Sequence, residues 1–499
     1  MFIKMIFFSS LQKYFVKRPL LSILFFSLIL RLFYLTLNNP LWWDAYVYIG
    51  IGKFIYSSGQ IGMWESFRPL IHPFLLGSVW RLGLDPVFFG KFFDLIFSLI
   101  GVYLVYLIGK KLFDVETGLI AAVIFSFAPL FMMFTGLILT EPLAIVLSLL
   151  GFYFWLKALD GKSGAFVSFF LAGFFFGFSF LTKFPQGLFF FGASLMMLFR
   201  SERVMFKIKN LMMLTSGFCF LVVPYLFLNN YLYQNPFEPF TSGSWIVTTA
   251  TWMYGSGVMY YFTHFFLSSP LYLFFFFYLY LFFKQRYYVF EGQRTLVFIT
   301  VVTLAYFMYV PRKEVRYLVT ILPFISLIVA AGLIYVYRQL KKSSKPVIRP
   351  KAFVVVCCIF LLIHIPTTIH FEKVPSFEPE LKMIIEKYDL RGPVLSSDPS
   401  FVSFIDEPVF LLSGMSFAEK VYNAKRGHYS LFFVNDCDLI CSPENITCFA
   451  KKKELLDMFA LDHKEIFKEE HYFKSQKMTC TYFIYLPHER IINSSVISG

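Results

Sequence analysis

The feature that most constrains this chain is the repetition of long apolar stretches over most of its length. Each runs for roughly 18–22 residues, the length at which an α-helix crosses the hydrocarbon core of a bilayer. Of the 499 residues, 58% are hydrophobic and only 15% are charged, a composition that a soluble protein of this size cannot bury. The pattern predicts a polytopic membrane protein with about eleven spans, at 20–37, 88–109, 117–137, 142–158, 164–182, 184–199, 210–229, 264–283, 295–310, 317–337 and 352–370.

The cationic residues predict how these helices are oriented. The net charge of +14 comes mainly from Lys and Arg in alternate short connections between spans, as the positive-inside rule describes for cytoplasmic loops. We therefore expect contact with membrane lipids and no nucleic acid. A cytoplasmic N-terminus and an odd number of spans place the C-terminal region outside the cytoplasm. We expect a multi-pass protein of the cell membrane, or of the endoplasmic reticulum in a eukaryote.

The composition changes after residue 371, which predicts two domains, 1–371 in the membrane and 372–499 outside it. Charges of both signs rise in the second segment, and four short β-like runs alternate with helix-like stretches, which is typical of a small α/β domain. It also holds four cysteines, Cys437, Cys441, Cys448 and Cys480. A zinc site is one interpretation, but without a Cys-x-x-Cys pair we favour disulfides, as expected outside the cytoplasm.

Asp44 lies directly after the first apolar stretch, among Trp42, Trp43, Tyr46 and Tyr48. Trp and Tyr favour the headgroup level, so this carboxylate should lie at the membrane surface. There it would act as a general base on a lipid-borne substrate, or else cap the helix predicted from Ala45 to Ser57. The loop from 38 to 87 is long and should be structured, with a second interfacial helix from Phe74 to Leu84.

Further candidates for the site lie in the other connections on the same predicted side of the membrane. Several of them are cations near a carboxylate, a combination that suits binding of a phosphate on a lipid tail. Each also has a structural interpretation. Glu141 precedes Pro142 as at a helix start, and Lys183 would extend to the headgroups. The cluster in Pro311–Tyr317 would bind anionic lipid. The candidates for substrate binding are Arg68, His72, Glu141, Lys183, Arg312, Lys313, Arg316 and Tyr317.

Other chemistry is less well supported by the sequence. His72 lacks a second ligand at metal-binding spacing, so we expect no protein-held metal site, although a divalent cation acting with the substrate stays open. No GxxxxGK[ST] or GxGxxG loop is present, which argues against nucleotide-driven chemistry.

The order of these motifs resembles the GT-C superfamily of polytopic glycosyltransferases, which includes protein O-mannosyltransferases and aminoarabinose transferases. The resemblance covers about residues 20–337. It rests on the acid after the first span in Trp42-Trp43-Asp44, on Arg68-Pro69-Leu70-Ile71-His72-Pro73, on Thr140-Glu141-Pro142, on Leu181-Thr182-Lys183 and on Arg312-Lys313-Glu314-Val315-Arg316-Tyr317. Two departures are Ala45, where relatives carry a second acid, and Arg312, where His is common.

The resemblance implies an all-α membrane bundle of the GT-C type, here with an extracytoplasmic α/β domain. It implies transfer of a hexose, such as mannose, from a polyprenyl- or dolichyl-phosphate donor to a hydroxyl of a protein or glycolipid. Asp44 would be the base, the anomeric carbon would invert, and Lys183, Arg312 and Arg316 would bind the phosphate. The alternatives are a flippase or transporter of lipid-linked sugars and a noncatalytic glycan-assembly module. A transporter should carry ionisable groups in mid-span of paired halves, whereas most candidates here lie at one face.

Overall fold

The computed structural model describes residues 17–37, 40–161, 164–201, 203–248, 251–284, 290–344, 346, 348–363, 377–425, 428–442, 444–473 and 477–488. Within them the chain packs as two units. The first comprises residues 1–38, 69–71 and 91–370, and the second comprises residues 39–68, 72–90 and 371–499.

The first unit is built from apolar helices, which confirms the predicted membrane bundle. Six described helices are long and apolar enough to cross a membrane, and a bent pair, Tyr260–Ser268 with Pro270–Lys284, would be a seventh. The six are Pro19–Thr36, Pro86–Leu112, Thr140–Leu159, Ala165–Thr182, Val204–Tyr233 and Leu322–Lys342. The helices Val115–Phe127, Phe184–Leu198, Glu291–Tyr309 and Pro350–Leu362 occupy the remaining predicted spans. The end of the last span, 364–370, lies outside the described residues.

Proline breaks two stretches that the sequence analysis treated as continuous spans. The stretch 117–137 is wrong as one helix, because Val115–Phe127 ends at Ala128 and the short helix Pro129–Met133 follows. Pro129 has no N–H to continue the helix and holds Ala128 in an extended conformation, with ψ at 121°. The stretch 264–283 is divided in the same way at Pro270, where the two helical parts meet at 115°.

Ion pairs show which connections share one end of the bundle. Lys111 lies 2.6 Å from Asp160, Arg200 lies 2.7 Å from Glu291, and Arg338 bridges Asp114 and Glu116 at 2.7 and 2.8 Å. These residues come from the cation-rich connections that the charge pattern places together. The sorting of the connections therefore agrees with the structure, whereas the side of the membrane stays a prediction.

A topology measurement tests that side. An epitope tag fused after Gly499 is expected to be accessible from outside intact cells, or protected in the lumen of eukaryotic microsomes. The physical reason is that the Lys- and Arg-rich connections resist transfer across the membrane. A tag in the cation-rich connection after Arg338 is the matched control and should be accessible only from the cytoplasm. Labelling of the C-terminal tag from the cytoplasm would contradict the predicted orientation.

The second unit contains a mixed five-stranded sheet, which confirms the predicted α/β domain. Its order is β2-β1-β3-β5-β4, with β1 parallel to β2 and β3, and β5 antiparallel to β3 and β4. The strands are β1 Val394–Ser396, β2 Val409–Leu411, β3 Leu431–Asn435, β4 His463–Phe473 and β5 Met478–Pro487. The helices Glu378–Lys387, Phe417–Lys425 and Ile446–Asp462 complete the C-terminal part. Strand β4 was missed by the sequence analysis, because this edge strand alternates charged and apolar residues without a long apolar run.

The loop after the first span packs in this second unit, although the domain division at 371 assigned it to the membrane part. Its helices are Trp43–Tyr56 and Ile71–Arg81. Lys53 donates to the Ile405 carbonyl at 3.0 Å and pairs with Asp406 at 2.8 Å. Gly62, at φ +87°, pairs its backbone with Glu407 and Val409. A Cβ at Gly62 would lie 2.3 Å from the Gly50 carbonyl, so only glycine fits here.

The cysteines of the C-terminal part form two disulfides, as predicted, and the zinc interpretation is wrong for this structure. Cys437 pairs with Cys480, and Cys441 pairs with Cys448. The sequence separations are 43 and 7 residues.

The two disulfides should differ in their contribution to stability. Chain entropy gives the longer loop about 1.5 kcal/mol more stabilisation. Replacing Cys437 and Cys480 by Ser in the full chain should therefore lower the protease resistance of this part more than replacing Cys441 and Cys448. Equal protease resistance of the two double variants would contradict the loop-length argument.

Candidate functional site

Asp44 lies in the first turn of the helix Trp43–Tyr56, at the point where the chain enters the second unit. The N-cap residue of that helix is Trp42, and no side chain caps it by a hydrogen bond. The interpretation of Asp44 as an N-cap is therefore wrong. Its carboxylate pairs with Arg68 at 2.9 Å and keeps about a fifth of its side-chain surface exposed, at 19%.

Arg68 joins Asp44 to a second acid, Glu65, which the sequence analysis missed. Its Nε lies 2.8 Å from Glu65, and its guanidinium lies 5.5 Å from the ring centre of Tyr48. Burial favours the neutral form of Arg68, but the two carboxylates outweigh it and hold its pKa well above the usual value. One arginine thus pairs with two acids, Asp44 and Glu65. The spacing Glu65-x-x-Arg68 was the available sequence signal.

His72 is fully buried, and its ring packs edge-on against Tyr48 with 5.5 Å between ring centres. Through Tyr48 it supports the Arg68 guanidinium from behind, since Tyr48 contacts both residues. Its burial against Tyr48 suits a structural role, and its role in substrate binding stays a prediction.

Glu141 and Lys183 come together in the first unit, although 42 residues separate them in sequence. Lys183 Nζ lies 2.6 Å from Glu141 Oε1. Glu141 stands in the first turn of the helix Thr140–Leu159, as its structural interpretation predicts, and is 2% exposed. Lys183 follows the last residue of the helix Ala165–Thr182 and keeps 15% of its side chain exposed. The sequence analysis named both residues, but it did not predict that they pair.

The connection 311–316, in the same unit, carries the next candidates, which are cationic side chains around Glu314. Glu314 accepts a hydrogen bond from Arg312 Nε at 2.5 Å and another from the Tyr317 hydroxyl at 3.0 Å, and it forms an ion pair with Arg316, whose Nε lies 2.6 Å away. The Arg312 guanidinium stacks on the ring of Tyr254 at 3.6 Å. Two arginines therefore share one carboxylate, which fixes their positions.

Lys313 contacts backbone carbonyls, whereas Arg312 and Arg316 pair with Glu314. Its ammonium is buried, and it donates to the carbonyls of Phe307, Met308 and Val310 at the end of the helix Glu291–Tyr309. A cation there interacts favourably with the negative end of the helix dipole. Burial lowers the pKa of Lys313. Its role in substrate binding stays a prediction that this geometry does not support.

The candidate residues are thus divided between the two units. Asp44, Arg68 and His72 lie in the second unit, and the other six lie in the first. Within the first unit, the 3₁₀ segment Val315–Thr320 packs against the helices Thr140–Leu159 and Pro129–Met133. The elements that carry Arg316 and Glu141 are therefore neighbours.

One group of described side chains is close enough together to hold a metal ion, Asp436 with Cys437 and Cys480. Because those two cysteines are joined in a disulfide, neither offers a thiolate, so the group does not fit a metal.

Comparison with known proteins supports the resemblance found in the sequence. Residues 67–227 match the family described as dolichyl-phosphate-mannose-protein mannosyltransferase. This segment includes Arg68, His72, Glu141 and Lys183. No protein with a curated description matches the chain in sequence.

Solved structures match nearly the whole fold. ArnT from Cupriavidus metallidurans bound to undecaprenyl phosphate has a TM-score of 0.59 at 13% identity, over 95% of this chain and 98% of that chain. The archaeal oligosaccharyltransferase AglB from Archaeoglobus fulgidus, in complex with an inhibitory peptide and a dolichol-phosphate, has a TM-score of 0.58 at 12% identity, over 93% and 74%.

A third similar structure is the arabinofuranosyltransferase AftD from Mycobacteria, with a TM-score of 0.54 at 12% identity, over 94% of this chain and 40% of that chain. All three are membrane glycosyltransferases of the GT-C superfamily. The resemblance to this superfamily is therefore confirmed, and the protein is a multi-pass membrane protein with the GT-C fold of polyprenyl-phosphate-dependent glycosyltransferases.

Proposed function

We propose that this protein transfers a sugar from a polyprenyl- or dolichyl-phosphate donor to a hydroxyl acceptor on the extracytoplasmic side, with Asp44 as the general base. The observation that carries the proposal is the state of Asp44. It follows the first predicted span, lies after the N-cap position of its helix, stays partly exposed and is held by Arg68. A carboxylate with these properties suits proton abstraction better than a purely structural role.

The proposed reaction is a displacement at the anomeric carbon. The acceptor oxygen forms a bond to that carbon while the bond from carbon to phosphate oxygen breaks. The acceptor proton passes to Asp44, and the polyprenyl phosphate leaves with the electron pair, so the configuration inverts. Arg68 would orient the Asp44 carboxylate through their ion pair at 2.9 Å.

Arg312 and Arg316 are proposed to bind the donor phosphate. Each guanidinium offers five N–H donors in a planar fork that matches phosphate oxygens. Glu314 holds both guanidinium groups in place, and two cationic groups side by side attract an anion. The charge that develops on the leaving phosphate would be stabilised by donors already held in place.

Lys183 and Glu141 are proposed to contact the substrate as a pair. A lysine ammonium donates to phosphate or sugar oxygens, and a carboxylate accepts from sugar hydroxyls. The pair therefore offers one donor and one acceptor side by side, at 2.6 Å. A divalent cation carried with the substrate remains part of this proposal and would act next to the phosphate.

The sugar is proposed to be a hexose, with mannose first, and the acceptor a protein or a glycolipid. Mannose and a protein acceptor follow the name of the matching family, whose segment covers residues 67–227. Undecaprenyl phosphate in the ArnT structure and dolichol-phosphate in the AglB structure support a lipid phosphate as the carrier.

A transfer assay tests the proposal. The purified chain in lipid nanodiscs is incubated with polyprenyl-phosphate mannose, glucose or aminoarabinose, with and without Mg²⁺ or Mn²⁺. Ser- and Thr-containing peptides and glycolipids are the acceptors, and products are identified by mass and by the anomeric NMR signal. We expect an inverted glycoside from at least one donor. Donor movement across the bilayer of sealed vesicles without any transfer would support the transporter alternative. Donor binding with neither transfer nor movement would support the noncatalytic assembly module.

A further inference from the structure

The turn from Phe134 to Leu139, which precedes Glu141, has an unfavourable backbone. Gly136 and Ile138 both have positive φ, at +87° and +56°. Glycine adopts this conformation freely, but a β-branched residue such as isoleucine rarely does. Ile138 is fully buried, so its side chain is fixed in the packed bundle. Tertiary contacts must therefore hold the backbone of Ile138 at positive φ, because isoleucine itself disfavours this conformation.

Asp94 supplies that restraint from the helix Pro86–Leu112. Its carboxylate is fully buried, and Oδ2 accepts the N–H of Ile138 at 2.7 Å. One side chain of a neighbouring helix thus holds the backbone of a left-handed residue in the turn. Losing a buried acceptor would leave the N–H of Ile138 unpaired, so this hydrogen bond suits a strained segment.

The turn leads directly to the Glu141–Lys183 pair. Only Leu139 and Thr140 separate Ile138 from Glu141, and Leu139 is the N-cap residue of the helix that carries Glu141. Glu141 is also close enough to Asp94 for the two carboxylates to interact electrostatically. A change in the backbone at Ile138 would therefore shift the start of this helix and with it the Glu141 carboxylate.

We propose that Asp94 is a positioning residue for the transfer reaction, holding Ile138 in its left-handed conformation so that Glu141 is presented to Lys183 and to the substrate. The inference rests on the proposed function, because it deepens the role given there to the Glu141–Lys183 pair. Asp94 acts through the backbone turn and has no contact with the reacting atoms in this proposal.

The test is a rescue experiment in the full chain. Asp94→Leu keeps roughly the size of the side chain but removes the acceptor of the Ile138 N–H, and kcat/KM for transfer should fall about tenfold. Adding Ile138→Gly should restore part of that loss, because glycine adopts the positive φ without help. Leu139→Gly is the matched control: Leu139 is equally buried but has φ −108°, so it should restore nothing.

Three outcomes would overturn the inference. They are transfer by Asp94→Leu at the parent rate, equal recovery with Leu139→Gly and Ile138→Gly, and a loss of transfer that follows the melting temperature across these variants.

A readout without catalysis separates this inference from the proposed function. The coupling between Glu141→Gln and Lys183→Met in thermal unfolding should be clear in the parent and reduced in the Asp94→Leu background. If the parent transfers no sugar but the coupling falls, the positioning role stands and the proposed function fails. If transfer is observed and the coupling is unchanged, the positioning role fails alone.

Discussion

Replacement of Asp44 by Asn is expected to lower the turnover of sugar transfer by about 10²–10⁴-fold, the usual contribution of a general base. Asn keeps the size of the side chain and can still accept a hydrogen bond from Arg68, but it takes up no proton at neutral pH. Donor binding and melting temperature should stay near those of the parent. The measurement is single-turnover transfer with saturating donor, beside a thermal unfolding curve and a donor-binding curve.

Two variants control this result. Asp389→Asn is the matched control, because Asp389 is an exposed acid of the same unit that also pairs with an arginine, Arg391, at 3.2 Å. It should transfer sugar at the parent rate. Arg68→Lys separates the base from its partner, since lysine keeps the charge beside Asp44 but loses the fork that also binds Glu65. If Asp44 only anchors Arg68, Asp44→Asn will lower the melting temperature and leave the transfer rate of the folded protein unchanged.

Replacement of Arg316 by Ala should reduce kcat/KM for the polyprenyl-phosphate donor by roughly 10–150-fold. That range corresponds to the loss of one charge-assisted hydrogen bond to phosphate, about 1.5–3 kcal/mol. Folding should suffer little, because Glu314 keeps Arg312 and Tyr317 as partners. The measurement is initial transfer rate against donor concentration, with the acceptor held constant.

Arg338→Ala is the matched control for Arg316, because Arg338 also binds two carboxylate oxygens but lies among the cation-rich connections at the other end of the bundle. It should leave the donor dependence unchanged. Arg316→Lys should fall between the parent and Arg316→Ala, since it keeps the charge and loses the planar fork. An unchanged donor dependence in folded Arg316→Ala would leave this arginine as an anchor to lipid headgroups, the alternative that its sequence context allows.

The membrane bundle could be predicted from the sequence because the bilayer sets a minimum length for an apolar helix. Pro19–Thr36, Thr140–Leu159 and Ala165–Thr182 begin and end within a few residues of the predicted spans. The breaks at Pro129 and Pro270 were less evident, because hydropathy continues unchanged through a proline. Hydropathy also fails to indicate strand β4. Because β4 lies at the edge of the sheet, many of its side chains are exposed and it contains no long apolar run.

The residue types of the candidate site also came from the sequence. A lone acid after the first span and a cluster of cations after Tyr309 are visible without a structure. The partners were not visible. Only the tertiary structure pairs Glu141 with Lys183 at 2.6 Å, gives both arginines to Glu314, and turns Lys313 toward carbonyls at a helix end.

By itself, then, the sequence determined which segments are apolar enough to cross a membrane, which connections share an end, and which residue types are candidates for the site. The tertiary structure decided that Arg68 bridges Asp44 to Glu65, that the loop after the first span packs with the C-terminal residues, and that Asp94 holds the turn before Glu141. Hydropathy and charge act on each segment separately, so they can be read along the chain. An ion pair or a hydrogen bond depends on an approach within about 3 Å between distant residues, which only the packed helices bring about.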